Sequence, residues 1–305
     1  MKGLRNKIAG ALYGVAIGDA LGAPLEFMSQ EQIANKHGRV TEMIGGGWLD
    51  VEPGEITDDT QMTLAVAEGI IANPGDPIQE IGIRFIEWVK SGPKDIGMTC
   101  SMSILEAAAR SHQEAPDKTV WFNASERTSR VNGGRSGGNG ALMRTVYPGL
   151  YYEWLLEAVT KAGNIAKMTH WDKKSTDACC LYTEMINLIT EADNNDEAWQ
   201  YIDSKLEGSE YKLEPRKDTE PTGYVVDSFK CALHSLATTK TFEDAIIEAA
   251  NLGGDADTIA AITGGLAGAI YGYKEIPGRW IQTLSPETRA QLDRLVDAAV
   301  KNREG

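Results

Sequence analysis

Ile8-Ala9-Gly10-Ala11-Leu12-Tyr13-Gly14-Val15-Ala16-Ile17-Gly18-Asp19-Ala20-Leu21 is an apolar run with glycines four apart, at Gly10, Gly14 and Gly18. Residues spaced by four share one face of a helix, so this stretch predicts a helix that packs tightly inside the protein through its small-residue side. Lys2, Arg5 and Lys7 ahead of Ile8–Ile17 imitate a secretion signal. Asp19, Glu26 and the glycine spacing favour the internal helix instead. Apolar residues at three- and four-residue intervals recur over Thr60–Ile71, Ile78–Val89, Met102–Arg110, Leu155–Met168 and Ser175–Thr190. They recur again over Val225–Leu236, Phe242–Asn251 and Thr258–Tyr271, while alternating β-branched strands are scarce. Arg39–Ile44 is too short for periodicity to assign. The expectation is one all-α domain over residues 1–305 with long functional loops. Ala192–Pro221, rich in Asp, Glu, Lys and Asn, reads as a surface excursion, and no internal repeat or low-complexity tract interrupts the chain.

With 305 residues, 42% hydrophobic and 24% charged, the chain has an ordinary globular composition and ample length for a core. A net charge of −14 argues against a nucleic-acid surface, which needs a cationic footprint. An anionic ligand would depend on bound cations, backbone N–H groups or helix N-termini. Cys100, Cys179, Cys180 and Cys231 form no CxxC pair. Reduced thiols, a cytoplasmic location and a monomer are the expectation. No apolar stretch reads as long and uninterrupted enough to span a bilayer, so no membrane role is expected.

Two acidic clusters carry the functional signal: Thr57-Asp58-Asp59-Thr60 and Asp255-Ala256-Asp257-Thr258, each placed where a glycine-bearing loop enters an apolar helix. Carboxylates beside threonine hydroxyls, without Cys or His, form a hard-oxygen ligand set suited to Mg²⁺, Mn²⁺ or Ca²⁺ rather than zinc. Should the clusters meet in the fold, they can bridge a pair of cations. Each also reads as a helix start, with Thr57 or Asp257 as the cap and the carboxylates near the positive helix end. Paired carboxylates in each of two loops are costly, however, unless something positive lies between them. A calcium EF-hand is excluded, because no third acidic ligand follows Asp257 at the next alternate position and Leu266 stands where the closing glutamate belongs. The Gly45-Gly46-Gly47-Trp48, Asn132–Gly140 and Asn251–Gly254 segments are either phosphate cradles or plain turns.

Gly18-Asp19-Ala20-Leu21-Gly22 with Glu26, then Gly45-Gly46-Gly47-Trp48, Thr57-Asp58-Asp59-Thr60, Gly138-Asn139-Gly140-Ala141-Leu142-Met143-Arg144, Thr169-His170 and Gly254-Asp255-Ala256-Asp257-Thr258 occur in that order. In that order they closely resemble the motifs of the ADP-ribosylglycohydrolase family, and among its members the bacterial dinitrogenase reductase-activating glycohydrolases. The resemblance covers nearly the whole chain. It implies an all-helical fold, a dinuclear Mg²⁺ or Mn²⁺ centre, and release of ADP-ribose from a modified side chain, commonly arginine, of a protein substrate.

Carried over motif by motif, the resemblance makes Thr57, Asp58, Asp59, Asp255, Asp257 and Thr258 the metal ligands, with Glu26 at the edge of the site. Asp95, in Lys94-Asp95-Ile96-Gly97, matches the loop of a catalytic aspartate beside the ribose. Asp95, Glu26 and Asp59 are therefore the candidate catalytic residues, and a positioned carboxyl suits protonation of a leaving nitrogen. Gly97, the loop Ser136-Gly137-Gly138-Asn139, His170 and Tyr224 would line the ADP-ribose site, the loop taking the pyrophosphate on backbone N–H groups. Asp95 also reads as a turn residue, His170 as a structural histidine and Tyr224 as core packing. Two positions depart from the nitrogenase-regulating enzymes: Met98 replaces an asparagine and Leu252 a basic residue, both expected near the leaving group or the phosphates. These leave the linked residue type and a nitrogenase role open, along with hydrolysis of another nucleotide-sugar linkage or non-catalytic ADP-ribose binding.

Overall fold

In the computed structural model, which describes residues 2–110, 115–212 and 220–305, the glycine-spaced run lies inside α1 (Lys2–Gly22). It is followed by α2 (Gln30–His37), α3 (Asp58–Ala72), α4 (Ile78–Lys90) and α5 (Met98–Arg110). The middle of the chain forms α6 (Lys118–Val131), α7 (Val146–Tyr151), α8 (Leu155–Ala166), α9 (Lys173–Glu191) and α10 (Asn195–Leu206). The last third forms α11 (Val225–Ala237), α12 (Phe242–Ala250), α13 (Ala256–Tyr271), α14 (Gly278–Thr283) and α15 (Pro286–Glu304). Among the described residues there is no strand, only three isolated bridges. The all-α expectation holds, and one continuous core runs from Ile8 in α1 to Ala299 in α15.

The centre of this core is the antiparallel pair α1 and α13. A Cβ added at Gly14 would lie 2.0 Å from the Gly264 carbonyl oxygen, and one at Gly10 would lie 2.1 Å from that of Gly268. At Gly18 the obstacle is the Ala260 carbonyl oxygen, again at 2.1 Å. The glycine face thus lets two backbones touch, as small-residue helix pairs do. Gly3–Leu25 is, by length and composition, long and apolar enough to cross a bilayer, which corrects the expectation that no such stretch exists. Its most apolar window is 94% buried inside the protein, because α13 and its neighbours cover it.

All nine periodic stretches fall on helices, and α5 starts four residues early, at Met98. Ala192–Pro221 is not wholly a surface excursion: α10 lies within it, capped by the Asn194 side chain and burying Ala198, Ile202 and Leu206 at four-residue intervals. Residues 213–219 of that stretch lie outside the described residues. Arg39–Ile44 joins no helix or strand; Asn251 pins it by accepting from the Val40 N–H and donating to the Val40 carbonyl. No disulfide joins the cysteines among the described residues.

Candidate metal centre

Because α1 and α13 run antiparallel in register, the C-terminal end of α1 meets the N-terminal end of α13, bringing Asp19 and Glu26 towards Asp255 and Asp257. Asp19 is fully buried. Its carboxylate accepts from the backbone N–H and the hydroxyl of both Thr57 and Thr60, with Oδ1 taking the Thr57 hydroxyl at 2.8 Å. Thr57 is the N-cap residue of α3, but its own side chain caps nothing. The helix start is capped instead by a carboxylate from α1. Since Thr57 Oγ1 donates to Asp19, its lone pairs are not used by that bond.

At the second helix start the N-cap side chain likewise caps nothing. Asp255, not Asp257, is the N-cap residue of α13, and it makes no cap hydrogen bond. Asp257 lies in the first turn and accepts from the Thr258 N–H at 2.8 Å. Asp255 is held by Asn139, whose Nδ2 donates to it at 2.8 Å. The two clusters meet directly: Thr258 Oγ1 donates to Asp59 Oδ2 at 3.2 Å across 199 positions of sequence.

Glu26 joins them through a backbone pairing. Phe27 N–H donates to the Gly254 carbonyl at 2.7 Å, and Gly254 N–H donates to that of Met28 at 2.8 Å. Gly254 has φ +64°, and a Cβ there would lie 1.8 Å from the Pro221 carbonyl oxygen, so this crossing requires glycine. Glu26, Asp255 and Asp257 then present one carboxylate oxygen each within 4.8 Å of one another. Trp48 Nε1 donates to Glu26 at 2.5 Å, fixing its rotamer.

These groups wall a cavity of about 390 Å³ together with Asp58, Asp59, Asp95, Gly97, Gly138, Asn139, His170 and Thr258. Ser136, Gly137, Tyr224 and Thr57 are not on its wall. Tyr224 packs its ring beside Gly137 at the rim and is 44% exposed, while Ser136 Oγ is buried without a partner. Met98 is exposed and lines the cavity. Leu252 is only 2% exposed and belongs to the core, so it does not face the leaving group or phosphates as expected. Leu252 lies in the turn just ahead of the Ser29–Gly253 bridge. The sequence reading gave no role to Asp19, although a carboxylate in an otherwise apolar, glycine-spaced helix was a visible signal. Trp48, which fixes Glu26, was likewise given none.

The electrostatics fit a cation. Burial, then repulsion from neighbouring carboxylates, raises Asp58, Asp59 and Asp257 well above the ordinary range. Glu26, driven first by burial, is pushed to about 8. Asp59 Oδ1 is buried with no hydrogen-bond partner among the described residues, a lone-pair site open to a proton, a cation or a water. The all-oxygen donor set suits Mg²⁺ or Mn²⁺. Carboxyls raised in the folded state stabilise it fully below their ordinary value and lose that contribution as pH rises through the folded one. For Glu26 that window runs from 4.5 to about 8. The melting temperature of chelator-treated protein is therefore expected to fall across this window. Saturating Mg²⁺ or Mn²⁺ should raise it most at the alkaline end, where no proton competes. A flat or rising chelated profile in a thermal melt series would contradict this electrostatic reading.

Comparison with known proteins agrees with the geometry. A family model described as ADP-ribosylglycohydrolase matches residues 1–305. The chain is 32% identical to the ADP-ribosyl-dinitrogen reductase glycohydrolase of Rhodospirillum rubrum, covering 97% of this chain and 96% of that one. It is 31% identical to the ADP-ribosylarginine hydrolase Tri1 of Serratia proteamaculans, over 93% of this chain and 76% of that one. A solved structure of an ADP-ribosylglycohydrolase-related protein complex superimposes with a TM-score of 0.79 at 27% identity, covering 98% and 100% of the two chains.

Proposed function

Since this chain belongs to the ADP-ribosylglycohydrolase family and is an ADP-ribosyl glycohydrolase, we propose that it hydrolyses the N-glycosidic bond of ADP-ribosyl-arginine in a modified protein, releasing ADP-ribose with two divalent cations, Mg²⁺ or Mn²⁺. One observation carries the metal dependence: Asp59 and Thr258, from acidic loops at opposite ends of the chain, share a hydrogen bond inside one cavity. Thr57, Asp58, Asp59, Asp255, Asp257 and Thr258 would hold the cations, with Glu26 beside them. Bound there, the cations would supply Lewis-acid polarisation and a template for the ribose hydroxyls and a water.

The protein's own groups divide the remaining work. Asp95 sits on the loop before α5, which Lys94 anchors by donating to Glu55 at 2.8 Å. Burial, more than any neighbour, raises its carboxyl above the ordinary value. A cavity-wall carboxyl whose hold on a proton is strengthened is suited to deliver one to the departing nitrogen. Glu26, fixed by Trp48, would orient the water on the sugar side. Gly138 and His170 share the same wall, where the Gly138 backbone N–H would meet the diphosphate; the Asn139 N–H is taken by the Gly223 carbonyl at 3.1 Å.

Purified protein with Mg²⁺ or Mn²⁺ is expected to release ADP-ribose from arginine-modified protein, read by mass spectrometry. Undiminished release in excess chelator would sink the metal mechanism. Met98, exposed at the cavity wall, favours a second reading in which another linkage is the better substrate. A panel of arginine-, serine- and nucleic-acid-linked ADP-ribose separates the readings, and binding without turnover on any of them would indicate a binding module.

A further inference from the structure

Arg144 is fully buried, and among the described residues no carboxylate pairs with it. Its guanidinium lies 4.7 Å from the centre of the Phe85 ring, with Nη1 facing the sulfurs of Met62 and Cys100 at 3.7 and 3.6 Å. Nε has no partner. A buried cation without a counter-ion is costly, so the bonds it does make require a reason. The shortest is from Nη2 to Thr169 Oγ1, at 2.8 Å.

That hydroxyl is also 2.8 Å from His170 Nδ1. A guanidinium only donates, so it occupies a lone pair of Oγ1 and leaves the single hydroxyl proton to be placed elsewhere. The sp² nitrogen of His170 is a strong acceptor; the Cys100 sulfur, the competing direction, is a weak one. A hydroxyl donating into Nδ1 requires that nitrogen to be bare, and the ring proton then sits on Nε2. The Nε2 edge runs along the glycine loop of the cavity: a Cβ on Gly138 would lie 3.2 Å from Nε2, and one on Gly140 would lie 3.3 Å from Cε1. Nε2 makes no hydrogen bond to any described residue, and His170 lines the cavity.

We propose that Arg144, through the Thr169 hydroxyl, is a positioning residue that locks His170 as the Nε2–H tautomer, presenting the cavity with a fixed donor for an anionic phosphate oxygen rather than with a base. Burial, then the Arg144 charge, pushes His170 down to about 3, so the donor is an uncharged imidazole. The tautomer follows from the hydrogen-bond chain alone; only the phosphate partner rests on the function proposed above.

Two-bond ¹H–¹⁵N correlation spectra of histidine-labelled protein, with His170 assigned by its absence from His170→Gln, read the tautomer directly in ligand-free protein. The expected result is the Nε2–H pattern in the wild type and in Thr169→Ser, with loss of that pattern in Thr169→Val and Arg144→Met. An Nδ1–H pattern in the wild type overturns the proposal whatever the protein binds. Calorimetry with ADP-ribose should show binding weakened by about tenfold in Thr169→Val and restored in Thr169→Ser, the scale of one hydrogen bond to a charged group. His170→Gln, which keeps an amide N–H near the Nε2 position, should bind more tightly than His170→Asn. Equal affinities across these four variants would overturn the donor role. An Nε2–H pattern in a protein that does not bind ADP-ribose would refute the functional reading and leave the tautomer lock standing.

Discussion

Asp59→Ala should lose more than about 100-fold in turnover, because even residues that merely support metal ligands are worth about 10–100-fold. It should do so without loss of fold. Asp59 is fully buried among Asp58, Asp19 and Asp255, and its ionised form is disfavoured first by burial and then by Asp58. Removing it deletes one acceptor, that of the Thr258 hydroxyl, while relieving the repulsion. Chelator-treated Asp59→Ala is thus expected to melt no lower than the chelator-treated wild type, while the upward shift produced by Mg²⁺ or Mn²⁺ disappears. Activity and stability then move in opposite directions, which a misfolded variant cannot mimic. Retained turnover with the metal shift intact would show that the cations sit elsewhere.

Gly14→Val is the second large effect, and it acts through the fold. Replacing glycine within a helix ordinarily stabilises by ~0.5–1 kcal/mol through reduced backbone freedom when the new residue is alanine. At Gly14 the added Cβ would lie 2.0 Å from the Gly264 carbonyl oxygen, and the obstacle is backbone that no rotamer change can move. Overpacking of side chains costs ~1–3 kcal/mol; separating two helices in backbone contact should exceed that. Against a typical total of ~5–15 kcal/mol, most of the folded population is at risk. Gly3 lies in the same helix with nothing within 4 Å of its added Cβ, so Gly3→Ala is the control and should be neutral or slightly stabilising. Circular-dichroism melts decide the matter: a Gly14→Val protein that melts with the wild type would refute the α1–α13 packing. Any folded remainder should also lose the cation-induced shift, since the same contact brings Glu26 to Asp255 and Asp257.

Three of the helices missed by periodicity, α6, α10 and α15, start at a side-chain cap. α6 carries a mixed face of Lys, Thr, Asn, Glu and Arg around Trp121, Ala124 and Ser125, and it depends on the Asp117 cap, which accepts from the Val120 N–H at 2.9 Å. α15 starts with the Ser285 side chain accepting from the Thr288 N–H and with Pro286 at its first position. α6 is announced by its cap rather than by an apolar stripe, whereas α15 also buries Leu292, Leu295, Val296 and Ala299 at helical spacing behind its cap. α10 carries both signals: the Asn194 side chain accepts from the Glu197 N–H, and Ala198, Ile202 and Leu206 form a sparse apolar stripe behind it.

By itself the sequence determined the helix that glycine spacing requires, the helical class of the chain, and the hard-oxygen chemistry of its two acidic loops, because each is written within one or two turns of backbone. Tertiary structure alone decided which carboxylates meet. The register of α1 on α13 sets Glu26 against Asp255 and Asp257, and it turns Asp19 from a polar interruption into the cap of α3. Packing likewise withdrew Leu252 from the site and joined Arg144 to Thr169 and His170. Periodicity reports which face of a helix is buried; only the packing of one backbone against another fixes what that face is buried against.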